Sequence, residues 1–258
     1  MDAVALVDGT GRWWNKDYEQ DMAQSFCSQI AKSFQGKAEY RRGPSDEGYR
    51  FNEKATEAAH LLTLARAMGA TRLFLAGYSR GAAIALQAAE FLALRGVQVD
   101  GLFLFDPVDR VPSRGSVCVR SIPQNVLFSR TASRSLDPAI VKKYEGALLI
   151  KPYDLLPLAT KRDARVLEKL PFVGTDPLLG NPIRPEFGTF IVNPCGIGDH
   201  QTKKLIGSHG ALGGVGWADV LEDKACQQAV VTWMNGAFSS LSLSMQIKAP
   251  PLTAEFPE

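Results

Sequence analysis

The sequence predicts one α/β domain, residues 1–258, in which a mostly parallel β-sheet is flanked by helices. Short apolar runs of strand length alternate with segments of helical periodicity, the order that produces a parallel sheet covered on both faces. Glycine follows many of these segments, as expected where the chain turns. A hydrophobic fraction of 45% and a charged fraction of 22% are ordinary for a globular domain of this length.

The elements are predicted from apolar runs and from their spacing. The expected strands are 3–7, 37–41, 73–76, 99–105, 125–130, 190–192 and 203–206. The expected helices are 18–34, 52–68, the segment from the turn at 77–81 to Gly96, and 218–237. In the first of these helices apolar residues recur at every fourth position, which is typical of a helix with one buried face.

The regular alternation is interrupted between about 131 and 202. Residues 138 to 194 hold eight of the fifteen prolines, with short apolar clusters and interspersed lysines and arginines. A long stretch without periodicity is often a functional excursion, so we expect a lid-like insertion here. The tail from about 239 to 258 alternates weakly and is expected to be loosely held.

Charge, apolar runs and cysteine spacing give no sign of a nucleic-acid-binding, membrane-spanning or zinc-binding protein. A net charge of +2 gives no support for nucleic-acid binding. No apolar run approaches the ~18 residues of a membrane span, and the first residues do not resemble a secretory signal. Localisation is therefore left open. The four cysteines are Cys27, Cys118, Cys195 and Cys226, and their spacing is not that of a zinc site. Most are expected to be buried free thiols, although a disulfide between Cys195 and Cys226 stays open.

The most informative motif is Gly77-Tyr78-Ser79-Arg80-Gly81, a G-x-S-x-G sequence between a buried strand and an alanine-rich helix. This is the setting of a nucleophile elbow, a sharp turn that exposes a serine hydroxyl above the sheet. Glycine is needed at Gly77 and Gly81 because side chains there would collide with the turn. Ser79 is therefore predicted to be a nucleophile.

A serine nucleophile needs a base and an acid that orients the base. His209 directly follows a predicted strand, and His200 lies in a polar loop, so His209 is favoured. His60, within a predicted helix, is assigned to packing or to the surface.

The acid is less sharply defined. Asp106 ends the strand after the elbow strand, which gives it a modest lead over Asp109 and Asp137. Aspartate is common in turns, so position alone leaves all three open.

The oxyanion hole requires backbone amides, one of them from the residue after the nucleophile, here Arg80. The turn Gly9-Thr10-Gly11 after the first strand is the candidate for the second donor. A dinucleotide-binding reading of this turn fails because Trp14 occupies the position of the third glycine. No metal or cofactor is expected.

These motifs together resemble those of α/β-hydrolases that include bacterial type VI secretion lipase effectors. Gly77 to Ala82 resembles the G-F-S-R-G-A elbow, Asp8 to Asn15 a D-G-T-W-N motif, and Phe105 to Val108 a W-D-T-V segment. His209 to Gly214 resembles an H-S-D-V-G-G loop, with Gly210 and Ala211 in place of Ser-Asp. The resemblance favours Asp106 as the acid and His209 as the base.

The predicted function is hydrolysis of carboxylic esters through Ser79, His209 and Asp106. The resemblance implies a lipid or phospholipid substrate, transient contact with a membrane surface, and an immunity or secretion partner. The lid-like insertion fits this, since its apolar clusters would line an acyl groove while basic residues meet anionic headgroups. The alternatives are a short-chain carboxylesterase or thioesterase, and a non-catalytic binding protein on the same fold.

Overall fold

A six-stranded parallel sheet forms the centre of the molecule. The computed structural model describes residues 1–10, 18–44, 50–108, 121–134, 192–194, 197–207, 209–215 and 222–250. Its strands are β1 (Asp2–Val7), β2 (Lys37–Arg41), β3 (Arg72–Tyr78), β4 (Gly101–Phe105), β5 (Ser121–Ile122), β6 (Phe128–Arg134), β7 (Asn193–Pro194) and β8 (Asp199–Leu205). The main sheet has the order β2-β1-β3-β4-β6-β8, with every described pair parallel, and β5 pairs with β7 separately.

Helices cover both faces of this sheet, which confirms the predicted fold class. They are α1 (Tyr18–Asp21), α2 (Phe26–Ser33), α3 (Phe51–Ala67), α4 (Arg80–Ala93), α5 (His209–Gly213) and α6 (Glu222–Ser240). Alternate residues of β3 divide between two cores: Leu73 and Leu75 pack with α3 and α4, whereas Phe74 and Ala76 pack with α2 and α6. The first core is rich in alanine, so α3 and α4 lie close to the strands.

The helix predicted over residues 18–34 is two helices. Chain turns at Met22 to Ser25 separate α1 from α2, and Ser25 caps α2 by accepting the Ser28 amide at 3.0 Å. Serine is favoured at helix N-caps because its oxygen satisfies an amide that the first turn leaves unpaired. Apolar residues therefore recur at every fourth position across the break, although the helix is not continuous.

The last two sheet strands are longer and shifted relative to the prediction. β6 and β8 include residues 131–134 and 199–202, which were expected in the insertion, and they pair from Phe128↔Asp199 to Arg134↔Leu205. The strands contain few apolar residues, since β8 is largely exposed and the buried Arg130 of β6 pairs with the exposed Asp199 at 2.7 Å. Residues 135–191, which make up most of the expected lid-like insertion, lie outside the described part of the chain.

The prediction of a loose tail is wrong for the residues up to 250. α6 continues to Ser240, and beyond it Leu243, Met245 and Ile247 are buried in the second core. Asn235 binds the backbone of Ile247 in both directions, at 2.8 and 3.0 Å. Residues 251–258 lie outside the described residues.

Truncating Ile247 tests how firmly this tail is held. Ile247→Ala is expected to lower the free energy of unfolding by about 2–4 kcal/mol, because it leaves a cavity in a core where Ile247 is 1% exposed. Gln246→Ala, at the exposed neighbouring position, should change it by less than about 0.5 kcal/mol. Urea denaturation of both variants measures the difference. Equal stabilities would mean that the tail contributes nothing to folding.

Among the described residues, no helix is both long enough and apolar enough to cross a membrane.

The cysteines could be checked only in part. Cys27 is buried on α2, as its place on the apolar face predicts. Cys118 and Cys195 fall outside the described residues, so the open Cys195–Cys226 pairing is not tested.

Candidate active site

The candidate residues gather at the carboxyl edge of the sheet, beside its reversal of strand order. The order β2-β1-β3-β4 turns back between β1 and β3, and ligands of open α/β sheets bind outside the strand ends at such a point. Gly9 follows β1, Ser79 follows β3 and Asp106 follows β4.

Ser79 has the backbone of a nucleophile elbow. Its φ of 60° and ψ of −128° lie in a region that residues other than glycine rarely adopt. The surrounding chain holds it there, since the Ser79 amide donates to the Phe105 carbonyl at 3.0 Å and the Val108 amide donates to the Ser79 carbonyl at 3.1 Å. Ser79 is thus hydrogen-bonded through its amide to the last residue of β4 and through its carbonyl to the segment that follows β4.

The two elbow glycines are required by close backbone contacts. A Cβ at Gly77 would lie 2.3 Å from the Gly81 carbonyl oxygen, and a Cβ at Gly81 would lie 2.1 Å from that of Val7. The Gly77 contact lies within the turn, whereas the Gly81 contact is with the end of β1, so glycine at the two positions lets α4 begin directly against the strands.

Asp106 and His209 form a buried hydrogen-bonded pair. Their Oδ2 and Nδ1 atoms are 2.6 Å apart, and neither residue is more than 5% exposed. Because a carboxylate only accepts, Nδ1 carries the proton, which leaves Nε2 of the neutral ring as a proton acceptor. Asp106 itself has φ 41°, a second strained residue at this edge.

Arg134 completes the surroundings of Asp106 and was missed by the sequence analysis. Its amide donates to Asp106 Oδ1 at 3.0 Å, and its Nε donates to Oδ2 at 2.8 Å. The predicted strand ended at residue 130, four residues before Arg134. A basic residue at the carboxyl end of a strand could have indicated a partner for the acid. The predicted strand was too short for Arg134 to be placed there, because β6 continues to residue 134.

The charges at this site set the protonation of its groups. Burial alone would raise the pKa of Asp106, but the charge of Arg134 and the hydrogen bond from His209 outweigh it and lower that pKa below its usual value. Burial lowers the pKa of His209, and its contact with Asp106 offsets this only in part. At neutral pH the pair is therefore a carboxylate and a neutral imidazole.

Tyr78 holds the histidine against the elbow. Its ring stacks on the His209 ring with centroids 4.8 Å apart, and its hydroxyl donates to the His209 carbonyl at 3.2 Å. α5 approaches so closely that a Cβ on Gly213 would lie 2.2 Å from the Tyr78 ring. The residue before Ser79 thus positions the residue that the sequence predicts as its base, in a short helix and not in the predicted loop.

The candidate oxyanion donors need one correction. The Gly9 amide donates to Asp8 Oδ1 at 2.8 Å, so it is already engaged and is not a donor to substrate. Thr10 follows it in the same turn, and Gly11 lies outside the described residues. Arg80 is the first residue of α4, where the helix dipole favours negative charge.

The rival candidates lie elsewhere or are not described. His60 is exposed on α3, and His200 lies at the amino end of β8, opposite the edge that carries Ser79. His200 Nδ1 is 3.0 Å from Ser129 Oγ. Asp109 and Asp137 are outside the described residues. Within the described ranges, no three His, Cys, Asp or Glu side chains are grouped so that they could hold a metal ion.

No protein-family model and no curated protein sequence matches the chain. Among solved structures, YbtT, a type II thioesterase from a yersiniabactin biosynthetic pathway, is 20% identical over 42% of this chain, with a TM-score of 0.31. This chain covers only 43% of that protein.

Two other matches extend over most of the chain. RedJ, a thioesterase of prodiginine biosynthesis in Streptomyces coelicolor, is 16% identical over 89% of this chain and 88% of its own, with a TM-score of 0.34. A protein assigned as a cell surface hydrolase from Lactobacillus plantarum WCFS1 is 10% identical over 93% of this chain and 92% of its own, with a TM-score of 0.44. None of these three is a type VI secretion lipase effector, and TM-scores this low assign no function.

Proposed function

We propose that this protein is a serine hydrolase that cleaves carboxylic esters, with Ser79 as nucleophile, His209 as base and Asp106 as the acid that orients the base. One observation carries the proposal. The buried 2.6 Å hydrogen bond between Asp106 and His209 lies beside a serine in a strained strand-to-helix turn. Nucleophile, base and orienting acid are the parts that acyl transfer requires.

In the proposed reaction, Ser79 Oγ attacks the ester carbonyl while His209 Nε2 removes the hydroxyl proton. The tetrahedral oxyanion is bound by the amides of Arg80 and Thr10. His209 then gives its proton to the leaving alcohol as the carbonyl re-forms, which leaves an acyl group on Ser79. Water, deprotonated by His209, releases the acid and restores the serine.

The electrostatics fit this order of proton transfers. A lowered pKa keeps His209 neutral before the reaction and ready to accept the serine proton. Asp106 stays charged and stabilises the imidazolium that forms, while Arg134 keeps the buried carboxylate ionised.

The same steps cleave an oxygen ester or a thioester, because both present an acyl carbonyl to the serine. The lipid or phospholipid substrate rests on the sequence resemblance and on the insertion, which is outside the described residues. Contact with a membrane surface and binding of an immunity or secretion partner also rest on the sequence resemblance and remain predictions. Activity on a series of esters of increasing acyl length, with a thioester and phospholipid vesicles alongside, separates these substrates.

Labelling with a fluorophosphonate probe tests the nucleophile directly. The wild type is expected to label at Ser79, and Ser79→Ala should lose labelling and at least about 10⁴-fold in kcat. Ser129→Ala is the matched control, since Ser129 is also buried beside a histidine but at the opposite edge. It should label like the wild type. An unlabelled wild type, or equal labelling of Ser79→Ala, would refute the proposal and favour a non-catalytic binding protein.

A further inference from the structure

Asp8 is a fully buried carboxylate with no part in the reaction steps described above. It directly follows β1, beside the candidate oxyanion turn, and accepts three hydrogen bonds. The Gly9 amide donates to Oδ1 at 2.8 Å, while the Tyr40 hydroxyl, at 2.7 Å, and the Ser25 hydroxyl donate to Oδ2. These donors come from the turn itself, from β2 and from the N-cap of α2. Asp8 therefore joins three elements at one point.

Tyr18 fixes the carbonyl group of Gly9. Its hydroxyl donates to the Gly9 carbonyl at 2.5 Å and accepts the Gly43 amide at 3.1 Å. Because that accepted bond comes from an amide, the hydroxyl proton is directed to Gly9. A trans peptide is planar, with its C=O and N–H pointing in opposite directions. The Thr10 amide, which shares a peptide with the Gly9 carbonyl, therefore points away from Tyr18.

The turn is packed directly against the elbow. A Cβ built on Gly9 would lie 3.5 Å from the Ser79 Cβ and 2.8 Å from the Tyr78 ring. On the other side, a Cβ on Gly43 would lie 2.1 Å from the Gly9 carbonyl oxygen. These close approaches place the turn against the elbow, and the hydrogen bonds of Gly9 with Asp8 and Tyr18 fix how its two peptides are oriented.

The protonation states agree with these donor and acceptor roles. Burial, and then the nearby charge of Asp8, raise the pKa of both Tyr18 and Tyr40, so both hydroxyls keep the protons that they donate. Burial raises the pKa of Asp8, and the bonds from Ser25, Tyr40 and Gly9 act against that rise. The three donors are arranged as an ionised carboxylate requires.

We propose that Asp8 and Tyr18 are positioning residues that orient the Gly9–Thr10 peptide, so that the Thr10 amide supplies the second donor of the oxyanion hole. The inference rests on the proposed hydrolase function and deepens it. Asp8 fixes the amide of Gly9, Tyr18 fixes its carbonyl, and the next amide along the chain is left for the substrate.

Tyr18→Phe tests this with the loss of one hydroxyl from a buried ring. Losing an oxyanion-hole donor costs about 10²–10³ in kcat, and a displaced donor should cost about 10–100-fold. We expect kcat to fall by that factor while KM changes less than about twofold. The affinity for an alkyl trifluoromethyl ketone, whose serine adduct places an oxyanion in the hole, should weaken with kcat across the variants.

Asp8 variants add a graded response. Asp8→Asn keeps an Oδ1 that accepts the Gly9 amide, whereas Asp8→Ala removes it. The loss of kcat and of ketone affinity should therefore be smaller for Asp8→Asn than for Asp8→Ala. Ile247→Ala serves as the control for stability alone, because it destabilises the second core but should retain wild-type kcat at a temperature where it is folded.

The outcomes separate the two proposals. If Ser79-dependent turnover is present and Tyr18→Phe keeps both kcat and ketone affinity, the positioning role is wrong and the hydrolase function stands. If Ile247→Ala loses as much kcat as Tyr18→Phe, general destabilisation explains the loss and the positioning role is again wrong. A wild type without turnover or labelling overturns the function and this inference together.

Discussion

Replacing Asp106 by asparagine is expected to reduce kcat by about 10⁴-fold while KM changes little, as loss of the orienting acid does in serine proteases. Asp106 Oδ2 accepts the Nδ1 proton of His209 at 2.6 Å. An asparagine amide can donate to Nδ1 and so stabilise the tautomer whose Nε2 carries the proton. That tautomer cannot accept a proton from Ser79. Ester turnover at neutral pH measures the loss.

The same substitution should also destabilise the fold. Arg134, 6% exposed at its side chain, would lose the charge that it pairs with, and breaking a buried pair from one side typically costs about 3–5 kcal/mol. The folded-state pKa of Asp106 is lowered, so its stabilising contribution is complete above the unfolded pKa, about 3.9. It is lost as pH falls through the folded pKa. The stability difference between wild type and Asp106→Asn should therefore be constant near neutral pH and shrink below about pH 4.

β6 carries a second arginine–carboxylate pair, Arg130 with the exposed Asp199, which serves as a control. Asp199→Asn also removes a carboxylate from an arginine of β6, Arg130, but at the opposite edge of the sheet. It should leave kcat unchanged. A loss of kcat in Asp199→Asn equal to that in Asp106→Asn, or a kcat in Asp106→Asn within tenfold of wild type, would contradict the assignment of Asp106.

Gly81→Ala is expected to cause the largest loss of stability of any substitution proposed for this protein, more than about 4 kcal/mol. Alanine is the better helix former, and Gly81 lies in the first turn of α4, so propensity alone predicts the opposite sign. Sterics decide the sign, because the new Cβ would stand 2.1 Å from the Val7 carbonyl oxygen and 2.3 Å from that of Asp8. Both contacts are with backbone, which cannot rotate out of the way as a side chain does.

Gly236→Ala is the control for this prediction. Gly236 lies within α6, and a Cβ there would meet nothing within 4 Å. Helix propensity then acts alone, and the substitution should stabilise the protein by about 1 kcal/mol. Thermal and urea unfolding of the two variants should move in opposite directions. If Gly81→Ala is as stable as the wild type, α4 does not begin in contact with β1 as the structure shows.

Much of the first half of the fold was predictable because its signals are local. Apolar strands with glycine stops and the alanine-rich helix each follow from residues that adjoin in sequence, and β1, β2 and α3 have nearly the predicted bounds. The elbow was predictable because its G-x-S-x-G pattern is local, and the Gly77 contact with Gly81 lies within the turn, although the Gly81 contact is with the end of β1. Asp106 and His209 could be nominated from their positions after strands, but their 2.6 Å hydrogen bond joins residues 103 positions apart.

The errors arose where distant contacts outweigh local pattern. The tail after Ser240 has weak alternation, yet burial of Leu243, Met245 and Ile247 against α2 and α6 holds it. Arg134 was missed because β6 is polar, and its buried charge is paired with Asp106, which follows β4 and is distant in sequence.

The sequence by itself determined the α/β class, the elbow around Ser79 and a short set of partners for it, because strand, turn and helix preferences act over a few residues. Only the tertiary structure decided which carboxylate meets the histidine, that Arg134 braces that carboxylate, and that the Gly9 amide is engaged by Asp8. Those choices depend on atoms brought together by the parallel order of the strands. Burial then makes each of these polar contacts obligatory, since a buried charge or amide without a partner is costly.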